Sequence, residues 1–154
     1  MRSTPTEIKK VLAQLDAMPA CLRALAADHS PEELALARDR KTWSAQEILA
    51  HLRACSDLWT HSIYAMLAEV DPVLPDINER KYARAARYAE VPFGEALEIF
   101  SVQRTNLMRV LRGLGPEAWE RGAIIFERRH TVFSQARRMA KHEAEHSEEL
   151  DALK

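Results

Sequence analysis

Apolar residues recur at helical spacing along four long segments of the chain. Between residues 6 and 27 they repeat at steps of three, four or seven: Ile8, Val11, Leu15, Leu22 and Leu25. Lys9 and Lys10 fall on the opposite side of such a helix, as in an amphipathic α-helix with one face in water. Pro19 lies inside this segment, so we expect it to kink the helix or to split it in two.

Three more long helices are expected further along the chain. Ser44 followed by Glu47 is a capping box, which predicts the start of a second helix that ends before Asp71-Pro72. A third helix is expected from Pro92 or Gly94 to Gly113. The fourth is expected from about Thr131 almost to Lys154.

The connections between these helices differ in length. Ser30-Pro31-Glu32-Glu33 predicts a short extra helix, and the polar residues up to Tyr88 predict a connection that is helical in part. Residues 116–130 form another connection, in which the apolar run 123–126 is expected to be extended. The whole chain, 1–154, is therefore predicted to be one all-α domain, a four-helix bundle with longer connections.

Composition and charge narrow the classes of function. The 154 residues are 47% apolar and 29% charged with only four glycines, a balance typical of a soluble helical protein. A formal net charge of −1 provides no basic surface for nucleic acid, so we expect no such partner. The apolar runs are too short for a membrane span of about 20 residues. Only two cysteines, Cys21 and Cys55, are consistent with a reducing cytoplasm.

Three histidines form the strongest chemical signal. His142 and His146 are one turn apart, and they share a helix face with Met139 and Leu150. Burying imidazoles among apolar residues costs free energy unless they gain a partner, and a divalent cation would satisfy both. His51 in the second predicted helix would be a third ligand. Three histidines leave coordination positions for water or substrate, as in catalytic sites.

The string His142-Glu143-x-x-His146 also matches the zinc-protease pattern. We exclude that class because only eight residues follow His146, none of them a histidine, and the expected strands are missing. Glu143 remains a candidate for a group beside the ligands or a base. Cys55, one turn after His51, is expected to be a small buried apolar residue, with a thiolate near the metal as the alternative.

Several charged residues allow two interpretations. Arg104 lies within an apolar stripe, and we expect it to extend to the surface; alternatively it pairs with a buried carboxylate or an anionic ligand. His130 is expected at the surface, with the pocket mouth as the alternative. The basic run Arg80, Lys81, Arg84 and Arg87 is expected to be a solvated face, although it could frame an anionic ligand.

Two motifs give the chain a specific resemblance. The segment from Trp43-Ser44 through Glu47-Ile48-Leu49 to His51-Leu52 resembles the start of the second helix in the DinB-like superfamily. His142-x-x-x-His146 followed by Leu150 is similar to the last helix of that family. The resemblance implies a DinB-like four-helix bundle in which His51, His142 and His146 bind a divalent metal. Family members of known activity are thiol-dependent transferases and isomerases.

These observations lead to two principal hypotheses. In the first, the protein is a metal-dependent enzyme, a thiol-dependent S-transferase, isomerase or hydrolase, that acts on a small-molecule thiol or electrophile. In the second, it is a non-catalytic, stress-related metal-binding module. A third, weaker possibility is a scaffold whose histidines merely pack. The ligands suit zinc, nickel, manganese or iron. A homodimer through helix faces is compatible with a bundle of this kind.

Overall fold

The computed structural model describes residues 2–153, which form six α-helices and a small three-stranded sheet. The helices are α1 (Pro5–Asp28), α2 (Pro31–Ala35), α3 (Ala45–Ala68), α4 (Glu79–Ala85), α5 (Phe93–Arg112) and α6 (Val132–Asp151). The strands are β1 (Val73–Leu74), β2 (Gly122–Ile125) and β3 (Arg128–Thr131). Short 3-10 turns occupy Tyr88–Glu90 and Ala118–Glu120.

Helix α3 begins where its capping box predicts, and α6 begins next to the expected residue, Thr131. The Ser44 hydroxyl accepts a hydrogen bond from the Glu47 backbone amide at 3.1 Å, which starts α3. Thr131 caps α6 in the same way, accepting from the Ser134 amide at 3.0 Å. Each cap satisfies a backbone donor that has no partner inside the helix. The starts of these two helices, which carry the three histidines, are therefore fixed by local sequence.

The four long helices α1, α3, α5 and α6 form the predicted bundle. Helices α1 and α3 each pack against both α5 and α6. The interior holds two apolar clusters, one around Trp59, Leu107 and Met139 and one around Leu22, Leu52 and Phe100. The all-α four-helix prediction is confirmed, with the small sheet as an addition at the connections. None of the helices in residues 2–153 is both long and apolar enough to cross a bilayer.

Helix α1 continues through Pro19 without a break. The alternative in which Pro19 splits the segment is therefore wrong. The physical reason is packing: Leu15 and Leu22, on either side of the proline, are fully buried, and Pro19 itself is buried. Burial of this apolar face offsets the missing backbone hydrogen bond.

The small sheet joins the two longer connections. Strand β2 pairs in parallel with β1, with Ile124 opposite Val73, and antiparallel with β3, with Ala123 opposite His130. The expectation of an extended run at 123–126 is confirmed for residues 123–125. Arg121 ties the sheet to the end of α3 by donating to the carbonyl oxygens of Met66 at 3.0 Å and Glu69 at 2.8 Å.

The connection after β1 is helical in part, as predicted. Helix α4 is capped by Asn78, whose side chain accepts from the Lys81 amide at 3.0 Å. This segment packs against α3, and it forms one wall of the site described below.

Candidate metal centre

The bundle brings His51, His142 and His146 together. His51 lies in the second turn of α3, and the other two lie one turn apart on α6, which packs directly against α3. Each imidazole directs Nε2 to a common point. The separation is 3.1 Å from His51 Nε2 to His142 Nε2 and 3.2 Å from His142 Nε2 to His146 Nε2. We call these residues the histidine triad.

The spacing of these nitrogens fits ligands of one metal ion. Two nitrogens that each bind an ion at about 2.0–2.1 Å lie between about 2.9 and 3.4 Å apart at the angles of octahedral and tetrahedral coordination. Hydrogen bonding alone cannot explain both contacts. A neutral ring nitrogen offers one proton or one lone pair, so Nε2 of His142 can complete only one of its two contacts as a hydrogen bond. A shared cation would satisfy all three nitrogens.

Burial keeps two of these rings in the form that binds metal. Desolvation, reinforced by the neighbouring imidazoles, lowers the pKa of His142 to about 4. Desolvation is also the main cause of the lowered pKa of His51, to which the neighbouring His146 contributes. Both imidazoles are therefore neutral at pH 7, with lone pairs available for a cation.

The outer nitrogens of the triad have different environments. Nδ1 of His146 lies 2.9 Å from a carboxylate oxygen of Glu149, one turn further along α6. Such a contact fixes the ring orientation and leaves Nε2 as the ligand atom. Nδ1 of His51 and Nδ1 of His142 are buried, and neither has a hydrogen-bond partner among residues 2–153. Of the three ligand candidates, only His146 therefore has a partner among residues 2–153 for its Nδ1 atom.

Two tryptophans line the triad. Trp43 stacks parallel to His146, with ring centroids 6.4 Å apart, and lies 5.2 Å from the ring of His51. Trp59 meets His142 edge to face at 5.1 Å. An arginine guanidinium lies over each indole ring. The distance from guanidinium carbon to ring centroid is 5.3 Å for Arg80 over Trp43 and 4.6 Å for Arg138 over Trp59. The rings limit water at the triad and hold positive charge beside it.

Two grooves open at the triad. The first, of about 450 Å³, lies between Trp43 and His51 on one side and the α4 segment on the other. The second, of about 360 Å³, is lined by Cys55, Trp59, His142 and Arg138. A larger cavity of about 690 Å³ lies around Met66 and Arg121, and no histidine or cysteine lines it. The two grooves at the triad are therefore the relevant ones for chemistry.

Cys55 is both buried and adjacent to the triad. Its side chain is 3% exposed, as expected for a small apolar residue, but Sγ lies 3.7 Å from Nε2 of His51. Burial raises the pKa of the thiol to about 12. Cys55 is therefore protonated at neutral pH in these surroundings and packs beside the ligand candidates.

The expectation that Arg104 extends to the surface is wrong. Arg104 is 2% exposed, and it forms a two-pronged ion pair with Glu143, which is 3% exposed. Nη1 of Arg104 also donates to the carbonyl oxygen of Leu15 at 2.8 Å. The alternative, a buried carboxylate partner, is the observed arrangement. Burial raises the pKa of Glu143, and the charge of Arg104 opposes that rise.

Glu143 thus has a structural role in the interior of the bundle, on the same helix as His142 and His146. It joins α6 to α5 and, through Arg104, to α1, directly beside His142 in sequence. Because its carboxylate is engaged with Arg104, it is not placed as a base for substrate. His130 is half-buried in β3 and lines neither groove at the triad, and His61 on α3 is exposed.

Asp57 holds the wall of the first groove in place. Its carboxylate accepts hydrogen bonds from the hydroxyls of Tyr82, at 3.2 Å, and Tyr88, and from the Gln103 amide at 2.8 Å. Arg53 lies 3.9 Å from the centre of the Tyr88 ring. These contacts join α4 and the following 3-10 turn to α3.

Sequence reasoning missed the tryptophan walls, Arg138 and the Asp57 network. Glu149 was missed as well, although its position three residues after His146 is a signal that the sequence contains. Trp43 belongs to the motif that carries the family resemblance, but nothing in that motif shows that its ring lines the site. Trp59 had no comparable signal, because an apolar residue at helical spacing is equally typical of a core. Trp59 is in fact buried at 6% exposure, and its ring stands nearly perpendicular to that of His142.

Comparisons with known proteins support this assignment of fold. The model of the DinB superfamily matches residues 14–150. Among solved structures, YfiT from Bacillus subtilis is similar, with a TM-score of 0.85 at 15% identity, over 98% of this chain and 87% of that one. YfiT is described as a probable metal-dependent hydrolase with an unusual four-helix bundle topology. A comparison with curated proteins found no match. The family model covers nearly the whole chain, which therefore belongs to the DinB superfamily.

Proposed function

We propose that this protein is a divalent-metal-dependent enzyme in which His51, His142 and His146 hold the ion. The observation that carries the proposal is the convergence of three Nε2 atoms, with separations of 3.1 and 3.2 Å, where two grooves meet. The description of YfiT as a probable metal-dependent hydrolase gives independent support for a metal in this fold.

The triad suits catalysis better than storage. Three protein ligands leave coordination positions that a substrate can reach through the grooves, whereas structural sites are usually closed by a fourth protein ligand. A bound ion would supply Lewis acidity and lower the pKa of a thiol or water at the site. The reaction class that we propose is thiol-dependent S-transfer, isomerisation or hydrolysis.

The residues of the chain would position the substrate. Trp43 and Trp59 flank the triad and exclude water from its sides. Cys55 is 3% exposed, so a bulky electrophile cannot reach its sulfur, and the reacting thiol would come from the substrate. Imidazole ligands accept zinc, nickel, manganese or iron, and the supply of metal in the cell selects among them.

Elemental analysis of the protein purified without a histidine tag tests the metal site. We expect near-stoichiometric divalent metal in the wild type and loss of it in His142→Ala. His61→Ala is the matched control, because His61 is an exposed histidine on α3 outside the triad. Absence of metal from the wild type, even after incubation with zinc or nickel, would overturn the proposal.

Ligand exchange then separates an enzyme from a non-catalytic metal module. In cobalt-substituted protein, we expect small thiols to change the visible absorption spectrum, because the open positions accept them. Turnover of an electrophilic acceptor or an ester should follow in the metal-loaded wild type. A spectrum that no thiol or anion alters, together with absence of turnover, would favour the non-catalytic module.

A further inference from the structure

The first groove carries an arginine pair that the metal chemistry does not use. Arg80 and Arg84 are one turn apart on α4, and Arg87 follows in the next turn of chain; all three line the groove that opens at His51. We propose that Arg80 and Arg84 bind the anionic group, a carboxylate or phosphate, of a small-molecule substrate whose reacting end lies at the triad. This inference rests on the proposed function and specifies its substrate class.

The charges along the groove favour an anion. Its lining carries three arginines against Glu47 and Glu90, which leaves one net positive charge. Arg87 is paired with Glu90 at 2.7 Å, whereas neither Arg80 nor Arg84 forms an ion pair with a carboxylate of residues 2–153. Like charges one turn apart on a helix repel each other, and a bound anion between them would relieve that repulsion.

The second groove has no excess of positive charge in its lining. Its lining carries Arg138 and Lys141 against Glu79 and Glu145, so the formal charges balance. Arg138 also lies 3.9 Å from a carboxylate oxygen of Glu79. Both grooves are lined by His51 but they differ in charge, and the anionic end of a substrate is therefore assigned to the first groove.

Arg80 is already positioned for this role. Its guanidinium lies 5.3 Å from the centre of the Trp43 ring, and that ring stacks on His146 and contacts His51. Arg80 thus contacts the same indole ring that contacts His51 and His146. A guanidinium offers two parallel N–H groups, which match the oxygen pair of a carboxylate or phosphate.

The wall that carries the arginines is held against the bundle. Tyr82, between the two arginines in sequence and on the other side of α4, donates to Asp57 at 3.2 Å. The side-chain amide of Gln46 on α3 donates to the carbonyl oxygen of Ala89 at 2.9 Å. Because the wall is fixed before a ligand arrives, less ordering cost opposes binding. A groove of about 450 Å³ lies within the size range of small-molecule sites.

The first test uses two matched thiols and zinc-loaded protein. By calorimetry, we expect 6-mercaptohexanoate to bind the wild type about tenfold or more tightly than 6-mercaptohexanol, as expected for charge-assisted hydrogen bonds. The preference should disappear in Arg80→Gln/Arg84→Gln. Lys81→Gln removes one positive charge from the same helix outside the groove lining, and should keep the preference. Equal affinities of the two thiols for the wild type would overturn the inference and leave the metal site intact.

The second test needs no metal. Hexanoate, butyl phosphate and hexanol are titrated into metal-free protein while the indole N–H resonance of Trp43 is followed by NMR. We expect the anions, but not hexanol, to shift this resonance in the wild type, and the effect to be lost in Arg80→Gln/Arg84→Gln. The stronger of the two anions identifies carboxylate or phosphate as the group recognised. No anion-specific shift would overturn the inference. An anion-specific shift in a protein that also takes up no metal on incubation with zinc or nickel would instead overturn the proposed function alone.

Discussion

The buried ion pair between Arg104 and Glu143 allows the sharpest prediction about stability. Replacing Glu143 by leucine removes the carboxylate while Arg104 remains buried at 2% exposure. Arg104 then keeps the Leu15 carbonyl, at 2.8 Å, the Met139 sulfur, at 3.5 Å, and the face of the Phe100 ring, at 4.8 Å, as partners. None of them carries a formal negative charge, so the guanidinium charge would be uncompensated in the interior.

The expected cost follows from this geometry. Removing one of the two charged partners of a buried ion pair typically lowers the free energy of unfolding by about 3–5 kcal/mol. For a domain of this length each kcal/mol corresponds to about 2–4 °C, so the melting temperature of Glu143→Leu should fall by about 6–20 °C. Arg104→Met should cost a similar amount, because it leaves the Glu143 carboxylate buried without its cation.

The double variant Arg104→Met/Glu143→Leu should recover most of the lost stability. Both charges are then absent, and apolar side chains occupy the same volume. A residual loss of about 1 kcal/mol is expected because the Leu15 carbonyl loses its donor. The free energies of unfolding of the wild type, both single variants and the double variant form a cycle that yields the coupling energy.

Urea and thermal denaturation of these four proteins measure the coupling. Arg112 and Asp16 form the matched control pair, because they also join α5 to α1 but have side chains 55% and 47% exposed. A cycle on that pair should give less than about 1 kcal/mol. Single variants of Arg104 and Glu143 that each lose less than about 1 kcal/mol, or losses that simply add in the double variant, would refute the reasoning.

Three further predictions concern the site and its surroundings. Glu149→Gln should weaken metal binding about tenfold, because the contact with Nδ1 of His146 is weakened; competition with a chromophoric chelator measures it, and unchanged affinity would contradict that role. Desolvation and the hydrogen bond to Asp57 raise the pKa of Tyr88. Above a pH of about 10 the unfolded chain loses this proton, whereas the folded protein keeps it. The free energy of unfolding should therefore fall as the pH rises further. That slope in urea denaturation should be smaller in Tyr88→Phe, and an identical slope would contradict the prediction. Changing the turn 126–127, where φ is 49° and 62°, to Asn-Gly should raise stability by about 1–2 kcal/mol, and a lower urea midpoint would contradict this.

The sequence predicts those features that depend on local spacing. The helix starts at Ser44 and Thr131 follow from side chains that bond backbone amides three residues away. The proximity of His142 and His146 follows from the helical repeat alone. Their meeting with His51 is an expectation from the burial of His142 and His146, which a shared cation would satisfy, and from the family resemblance; the structure brings the three together.

The partners of two other residues, Arg104 and Asp57, were not identified from the sequence. Arg104 and Glu143 are 39 residues apart, and neither sequence neighbourhood shows that α1, α5 and α6 meet at this point. The docking of α4 depends on Asp57 and two tyrosines 25 and 31 residues further along the chain. Such pairs depend on how helices are arranged around one another, and helical periodicity contains no information about that arrangement.

The distance along the chain between His51 and His142 has a consequence for folding. These residues are 91 positions apart, yet their Nε2 atoms are 3.1 Å apart in the bundle. An ion bound by both would act as a reversible cross-link between the halves of the protein, absent from the unfolded chain. At a free metal concentration of about 100 times the dissociation constant, this linkage adds about 2.7 kcal/mol to stability. Metal supply would then set the lifetime of the protein in the cell as well as its activity, since unfolded molecules are degraded.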